Sequence, residues 1–341
     1  VIRSTTDFAR HVGLARTTVS RVLNGQPGLK QKTIDRVRRA MDETGFTPNA
    51  YALHLKGKRT ATVGICVETL MTPPAVLKLA TLQRLLREQS YASLIEVLAP
   101  DGSRTVVRHF LSMRVDAVVF IGHFAEAEIA QRIQELTRHG VPHLVIDHVG
   151  IAGANTVALD RRRAMAELTR HLLALGHRTF GLLGLSSGLR SVQDRRAGVA
   201  DALTAAGLTL ERDTASLDHL HTRNQDFEFG RALAASFLAR PAPPTALIAL
   251  NDEIAIGAIH GLQAAGCRVP EHVSVSGFNN QDLGLMSRPT LTSVDQQIPK
   301  TIEAAAALLL GQIGQPPRRR PVALSIPPLL IVRESTGRAP A

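Results

Sequence analysis

At 341 residues and 44% apolar content the chain is long enough to fill two or three cores, and it is too apolar to be read as a disordered polyelectrolyte. Its formal charge of +11 is uneven: residues 1–60 hold 12 Lys/Arg against 4 Asp/Glu, while the remaining chain holds 28 against 25, so the basicity belongs to one small N-terminal unit. No apolar run of about 18 residues occurs and the N-terminus lacks the apolar stretch of a secretory signal, which excludes a membrane-spanning helix and leads to a cytoplasmic expectation.

In chain order, Thr5–Val12 places Phe8, Ala9 and Val12 at helical spacing, and Gly13 suits a tight turn. In the following helix Val19, Val22 and Leu23 form an apolar stripe, while Thr17, Thr18, Ser20, Arg21 and Asn24 form a polar face. The pair reads as a helix-turn-helix. An arginine on such a face can fork onto guanine O6 and N7, and hydroxyls and amides can grip phosphates or base edges, so Thr17, Ser20 and Arg21 are candidate DNA contacts. A solvated two-helix corner is the alternative for the pattern taken alone. The loop signal Gln26-Pro27-Gly28 precedes a third helix with Ile34, Val37 and Met41 on one face, and Gly45-Phe46-Thr47-Pro48-Asn49 ends it. Ala50–Lys56 has the length of one more short helix, and the basic run Lys56-Gly57-Lys58-Arg59 reads as a hinge.

From Thr60 onward, short runs apolar on both faces alternate with helical stretches. Strands are expected at 62–67, 93–97, 117–121, 143–146, 156–159, 179–183, 245–250 and 273–278, with helices at 75–89, 126–139, 161–175, 195–206, 252–265 and 302–310. This is the pattern of two doubly wound parallel α/β lobes, whose ligands bind at strand ends and between lobes. Polar residues directly after strands are therefore candidates: Asp147, Asp160, Asn251, Asp252 and Asn279. A helix cap or loop hydrogen bond is the competing role for each. Cys66 and Cys267 lie far apart in apolar stretches and are expected as free thiols.

TTVSRVLNG, an amphipathic helix, GFTPN and a short leucine-ended segment before a globular body resemble the lactose-repressor (LacI/GalR) family of bacterial regulators. The resemblance implies a helix-turn-helix domain at 1–48, a hinge at 49–59, a two-lobed periplasmic-binding-protein-like body at 60–333 and a tail at 334–341. It puts lobe 1 at about 60–157 with a return at 291–319, and lobe 2 at about 158–290 with 320–333. It further implies base contacts from Arg16, Thr17 and Arg21, phosphate contacts from Ser4, Ser20 and Asn24, and hinge contacts from Asn49 and from Leu55 as a minor-groove wedge. Effector contacts would come from Asp147, Arg195, Asn251 and Asn279, with Asp160 and the loop residues Thr72 and Pro73 beside them. The partners so implied are palindromic double-stranded operator DNA, a small-molecule effector (a sugar or other small metabolite) and a second copy of the chain in a homodimer, with no cofactor, no metal and no membrane. The expected function is a ligand-responsive transcriptional regulator, expected to act as a repressor, and not an enzyme.

Several positions depart from the family pattern. Ala15 and Lys30 stand where helix-capping serines are usual, Leu53 replaces a hinge arginine, Asn279 replaces an aspartate, and Met71-Thr72-Pro73-Pro74 replaces an aromatic pocket loop, which lowers the expectation of a sugar. Gly184-Leu185-Ser186-Ser187-Gly188 matches the G-x-S-x-G of a nucleophile elbow, but His260 falls within an expected helix and His272 at a strand start, so no triad partner is placed to serve it. His219-Leu220-His221 has no third ligand at metal spacing nearby. A periplasmic binding protein would share the two-lobed body and would carry a signal peptide in place of the basic head.

Overall fold

A computed structural model describes residues 2, 4–23, 26–46, 59–98, 105–185, 189–210, 226–316 and 320–340. The head consists of α1 (Thr5–Val12), α2 (Arg16–Leu23) and α3 (Gln31–Thr44). Its core is small: Phe8, Ala9, Val12, Val19, Val37, Ala40 and Phe46, with Phe8 and Phe46 stacked at 4.3 Å between ring centroids. The Ser4 hydroxyl caps α1 by accepting from the Asp7 amide at 3.1 Å, and Gly13, at φ +69°, takes the left-handed turn that lets α2 start. Arg36 of α3 reaches back to donate to the Val12 carbonyl, tying the third helix to the corner. Lys30 precedes α3 with no side-chain capping bond, as its chemistry dictates.

The first lobe is a six-stranded sheet in the order Ala323–Ile326, Asn155–Leu159, His143–Ile146, Ala117–Ile121, Thr62–Val67, Ala92–Val97, and the second a five-stranded sheet in the order Leu329–Ile331, Thr292–Asp295, Ser274–Asn279, Ala246–Ala249, Phe180–Leu183. In chain order the body runs β1 (Thr62–Val67), α4 (Pro73–Glu88), β2 (Ala92–Val97), α5 (Thr105–Ser112), β3 (Ala117–Ile121), α6 (Glu126–Arg138), β4 (His143–Ile146), β5 (Asn155–Leu159), α7 (Arg161–Ala174), β6 (Phe180–Leu183), α8 (Arg190–Ala205), α9 (Asp226–Leu238), β7 (Ala246–Ala249), α10 (Asp252–Ala264), β8 (Ser274–Asn279), α11 (Leu283–Met286), β9 (Thr292–Asp295), α12 (Ile298–Leu310), β10 (Ala323–Ile326) and β11 (Leu329–Ile331). All pairings within the first sheet are parallel, and in the second only β11 on β9 is antiparallel. Strands buried from end to end, such as Ala117–Ile121, need helices on both faces, which is why parallel order and helix alternation arrive together. Helices of the second lobe cross at glycines. A Cβ on Gly257 would stand 2.0 Å from the Phe227 carbonyl oxygen and one on Gly230 2.1 Å from that of Ile254, so α9 and α10 touch backbone to backbone there.

The chain crosses between sheets after β5, after β9 and after β10. These crossings shift the segment boundaries expected from sequence. Thr292–Asp295 pairs with β8 and belongs to the second lobe, while Ala323–Ile326 pairs with β5 and belongs to the first, so the return segment is α12 with β10 rather than 291–319. The tail is not a free end: Ser335 is fully buried, its carbonyl accepts from the Val275 amide at 2.8 Å, and the Ala339 amide donates to Leu175. Helix α8 begins at Arg190, so Arg195 lies within it rather than at its start. The hinge segment 49–56, with Asn49 and Leu55, lies outside the described residues, as do Asn24, Ser186, Ser187, His219 and His221.

Candidate functional site

On the head, α2 buries Val19 and half-buries Val22 and Leu23, which turns Arg16, Thr17 and Arg21 to solvent. The expected reading face is thus a real exposed surface. Ser20 is half-buried on the same helix, and the Arg21 guanidinium donates to the Pro27 carbonyl at 3.3 Å, folding it towards the α2–α3 loop. The Ser4 hydroxyl is engaged in its cap, also donating to Asp7 Oδ2 at 2.7 Å.

In the body, the strand ends of both lobes meet around one buried charge cluster. Asp147, directly after β4, adopts φ +74°, unusual for a residue with a side chain, and is 8% exposed. Its Oδ2 accepts from Lys78 Nζ at 2.6 Å and its Oδ1 from Arg161 Nη2 at 2.7 Å. Lys78 also donates to Gln296 Oε1 at 3.0 Å, and the Gln296 amide donates in turn to Asn279 Oδ1. Lys78 comes from α4, Arg161 from the first crossing, Gln296 from the second and Asn279 from the end of β8, so the network stitches one lobe to the other. Burial pushes the Asp147 carboxyl upward, but the Lys78 and Arg161 charges outweigh it and hold the group well below the usual carboxylate range. Burial pulls the Lys78 ammonium down, opposed by its bond to Asp147. Arg195 lies 8% exposed with its guanidinium 4.0 Å from the Phe278 ring centroid, and burial first, then the Arg161 charge, lowers it to about 9.

The remaining expected positions divide. Asp160 caps α7 by accepting from the Arg163 amide at 2.9 Å. Asn251 caps α10 through the Ile254 amide at 2.8 Å and donates to Asp226 Oδ2 at 2.6 Å. Asn279, at φ +119°, reaches the cluster through Gln296. Thr72 and Pro73 lie apart from the cluster, in an exposed depression with Leu70, Met71, Val76 and Leu77. Lys78, Arg161 and Gln296 were not singled out from sequence. Lys78 had a signal, because it falls on the buried stripe of α4 with Leu79, Leu82 and Leu86, where a lysine requires a partner. Half-buried His123 completes the surroundings: burial and the Arg161 cation pull its imidazole well below its ordinary value. Burial pushes the Cys66 thiol up to about 12, so it is a packing group and not a nucleophile.

A small basic head with an exposed polar helix, joined to two parallel-sheet lobes around a polar cleft, defines a DNA-binding regulator with a ligand-binding body. Residues 5–49 match the family model described as bacterial regulatory proteins, lacI family, and residues 169–336 match the periplasmic binding protein-like domain. The chain is 30% identical to catabolite control protein A of Staphylococcus xylosus over 295 residues, covering 86% of this chain and 87% of that one. Its fold is similar to that of the lac repressor dimer bound to operator and the anti-inducer ONPF, with a TM-score of 0.87, 22% identity and coverage of 99% and 100%. The transcriptional regulator CelR in complex with cellobiose gives a TM-score of 0.69 at 24% identity, covering 98% and 100%. The chain belongs to the lacI family of bacterial regulatory proteins: it is a transcription regulator, not an enzyme. Among the described residues no helix is long and apolar enough to cross a membrane.

Proposed function

We propose that this chain represses transcription by binding a palindromic operator as a homodimer, and that a small-molecule effector held between the lobes sets its operator affinity. The observation that carries the reading is the solvent-facing row Arg16, Thr17 and Arg21 on the second helix of a helix-turn-helix, in the most basic part of the chain. In this reading Arg16, Thr17 and Arg21 face bases, Ser4, Ser20 and Asn24 face phosphates, and Asn49 and Leu55 serve the hinge. The dimer is supported by an exposed apolar strip on and before α4, with Met71 58%, Val76 47% and Leu77 51% exposed, and by the dimer named for the lac repressor structure. The cellobiose complex of CelR supports a small-molecule effector, and binding to operator DNA supports a cytoplasmic location.

Anisotropy titrations with an operator selected from random duplexes test the reading. Contacts to ~6–10 phosphates give a log–log salt slope near −0.9 per contact, and a slope near zero overturns DNA recognition. Arg21→Ala is expected to flatten preference at one operator position at a cost of about 1–3 kcal/mol, whereas Ser20→Ala weakens all sequences alike.

A further inference from the structure

Arg195 is, among the described residues, a buried cation with no ion-pair partner. Among the described residues its guanidinium makes no hydrogen bond and no ion pair, resting only on the face of Phe278, and its Nε is fully buried without a partner. The carboxylate that could neutralise it is spent: Asp147 gives one oxygen to Lys78 and the other to Arg161. The other acids around the strand ends are engaged as well, except that Glu253, bonded through Oε1 to Gln281, keeps a buried Oε2 without a partner. Asp252 accepts from Ser293 and the Gln281 amide, Asp226 from Asn251, Asp295 from Asn280 and the Gln297 amide, and Glu68 from the His123 amide. Asn279, at the end of the strand that carries Phe278, is neutral and has its oxygen taken by Gln296.

Two further buried nitrogens in the same surroundings have no partner, Arg161 Nε and His148 Nε2. Arg161 and Asp147 act on the charge of both His148 and Arg195, which puts all of these groups within electrostatic reach of one another. The unfilled donors are thus two arginine nitrogens; the His148 ring bonds to the Phe124 backbone and burial keeps it neutral, so its Nε2 is the accepting nitrogen. A buried unpaired guanidinium is costly to a fold and persists where a ligand completes it. A neutral polyol, which donates as readily as it accepts, leaves the charge uncompensated; an oxyanion supplies acceptors and charge together.

We propose that the effector carries an anionic oxygen group, a phosphoryl or a carboxylate, that docks on Arg195 with Arg161 beside it. The proposal rests on the reading of the interlobe cleft as the effector site and adds the chemical class of the effector.

The test uses the full chain and its Arg195→Met variant, followed by thermal melting and calorimetry at constant ionic strength. Chloride is exchanged for inorganic phosphate or for acetate, and glucose and cellobiose serve as neutral probes. Phosphate or acetate is expected to raise the wild-type melting temperature above its value in chloride. The variant is expected to lose that increment, with affinity for the effective anion down about tenfold or more. Without any probe, Arg195→Met is expected to melt about 3 °C higher than wild type, because it removes an unpaired buried charge while keeping an apolar stem on Phe278. Phosphate acting alone assigns a phosphoryl group, and acetate acting alone a carboxylate. An anion increment that survives in Arg195→Met overturns the proposal, since the anion then sits elsewhere, as on the basic head. A neutral sugar that stabilises through Arg195 while neither anion does also overturns it, yet leaves the effector cleft standing. No shift with any probe, together with a lower melting temperature for the variant, makes Arg195 a structural group and removes both readings.

Discussion

On the head, the polar side chains of α2 stand in water, on a helix of 8 residues whose one fully buried side chain is Val19. In the cleft, Lys78, Asp147, Arg161 and Arg195 are each less than a tenth exposed and arrive on separate elements of two lobes. The head's groups remain hydrated until a partner strips them, so each costs the free protein little. The cleft's groups have lost their water during folding, and only mutual pairing keeps them tolerable. A surface reader is therefore replaceable residue by residue, while a buried reader is a single unit whose members depend on one another.

The largest test of this contrast is Asp147→Ala, which strands Lys78 and Arg161 beside Arg195. It is expected to destabilise the body by about 3–5 kcal/mol in urea unfolding, against changes within about 0.5 kcal/mol for Arg21→Ala on the head. Equal losses at the two positions would break the comparison.

Acid comes next. His177 is fully buried, its Nε2 lying 3.1 Å from the Gly337 carbonyl, which can only accept, and its Nδ1 2.9 Å from Thr245 Oγ1, so the neutral ring donates to the first and accepts from the second. Burial lowers His177, and burial with the Arg161 charge lowers His123, so on acidification the unfolded chain takes up these protons first. Stability present above the ordinary imidazole value of about 6.5 is lost as pH falls below it, with a slope of up to about 1.4 kcal/mol per pH unit for each withheld proton. Asp252 works in the opposite sense: burial raises its carboxyl to about 6, so its contribution is present at low pH and lost as pH rises through that value. Urea midpoints between pH 8 and pH 5 are expected to fall towards acid for the body. A flat profile would mean that the imidazoles take up protons without resistance.

The smallest effect belongs to the head. Lys30→Ser gives α3 a hydroxyl where it now has no side-chain cap, and a gain of about 1 kcal/mol in head stability is expected from thermal unfolding of the head transition. No gain would mean that the α3 terminus is already satisfied in another way.

The same contrast explains how much the sequence disclosed. The α2 face was readable because both its apolar stripe and its polar side follow one helical period over a few residues. The cleft cluster was readable in part, since Asp147 and Asn279 follow apolar strands and announce themselves by position. Lys78 and Gln296 come from elements far from Asp147 in the chain, and nothing local separates Arg161 from Arg162 and Arg163 beside it. Strand β9 passed unseen because Thr292 and Ser293 look like loop residues; both are buried, their hydroxyls bonded to the Arg333 carbonyl and to Asp252. Strand β10 passed unseen for another reason: it is a four-residue sheet edge with alternating exposure, and Pro321 and Pro327-Pro328 crowd it on either side.

The sheet connectivity also sets an order of events during synthesis. The head has its whole described core once Phe46 is made. The first lobe lacks α12 and an edge strand until Ile326, and the second lacks β11 and the Ser335 and Gly337 contacts until the last of these segments emerges. On a growing chain the DNA-facing head is therefore finished while both lobes are still open, and the cleft that would govern it comes into being last.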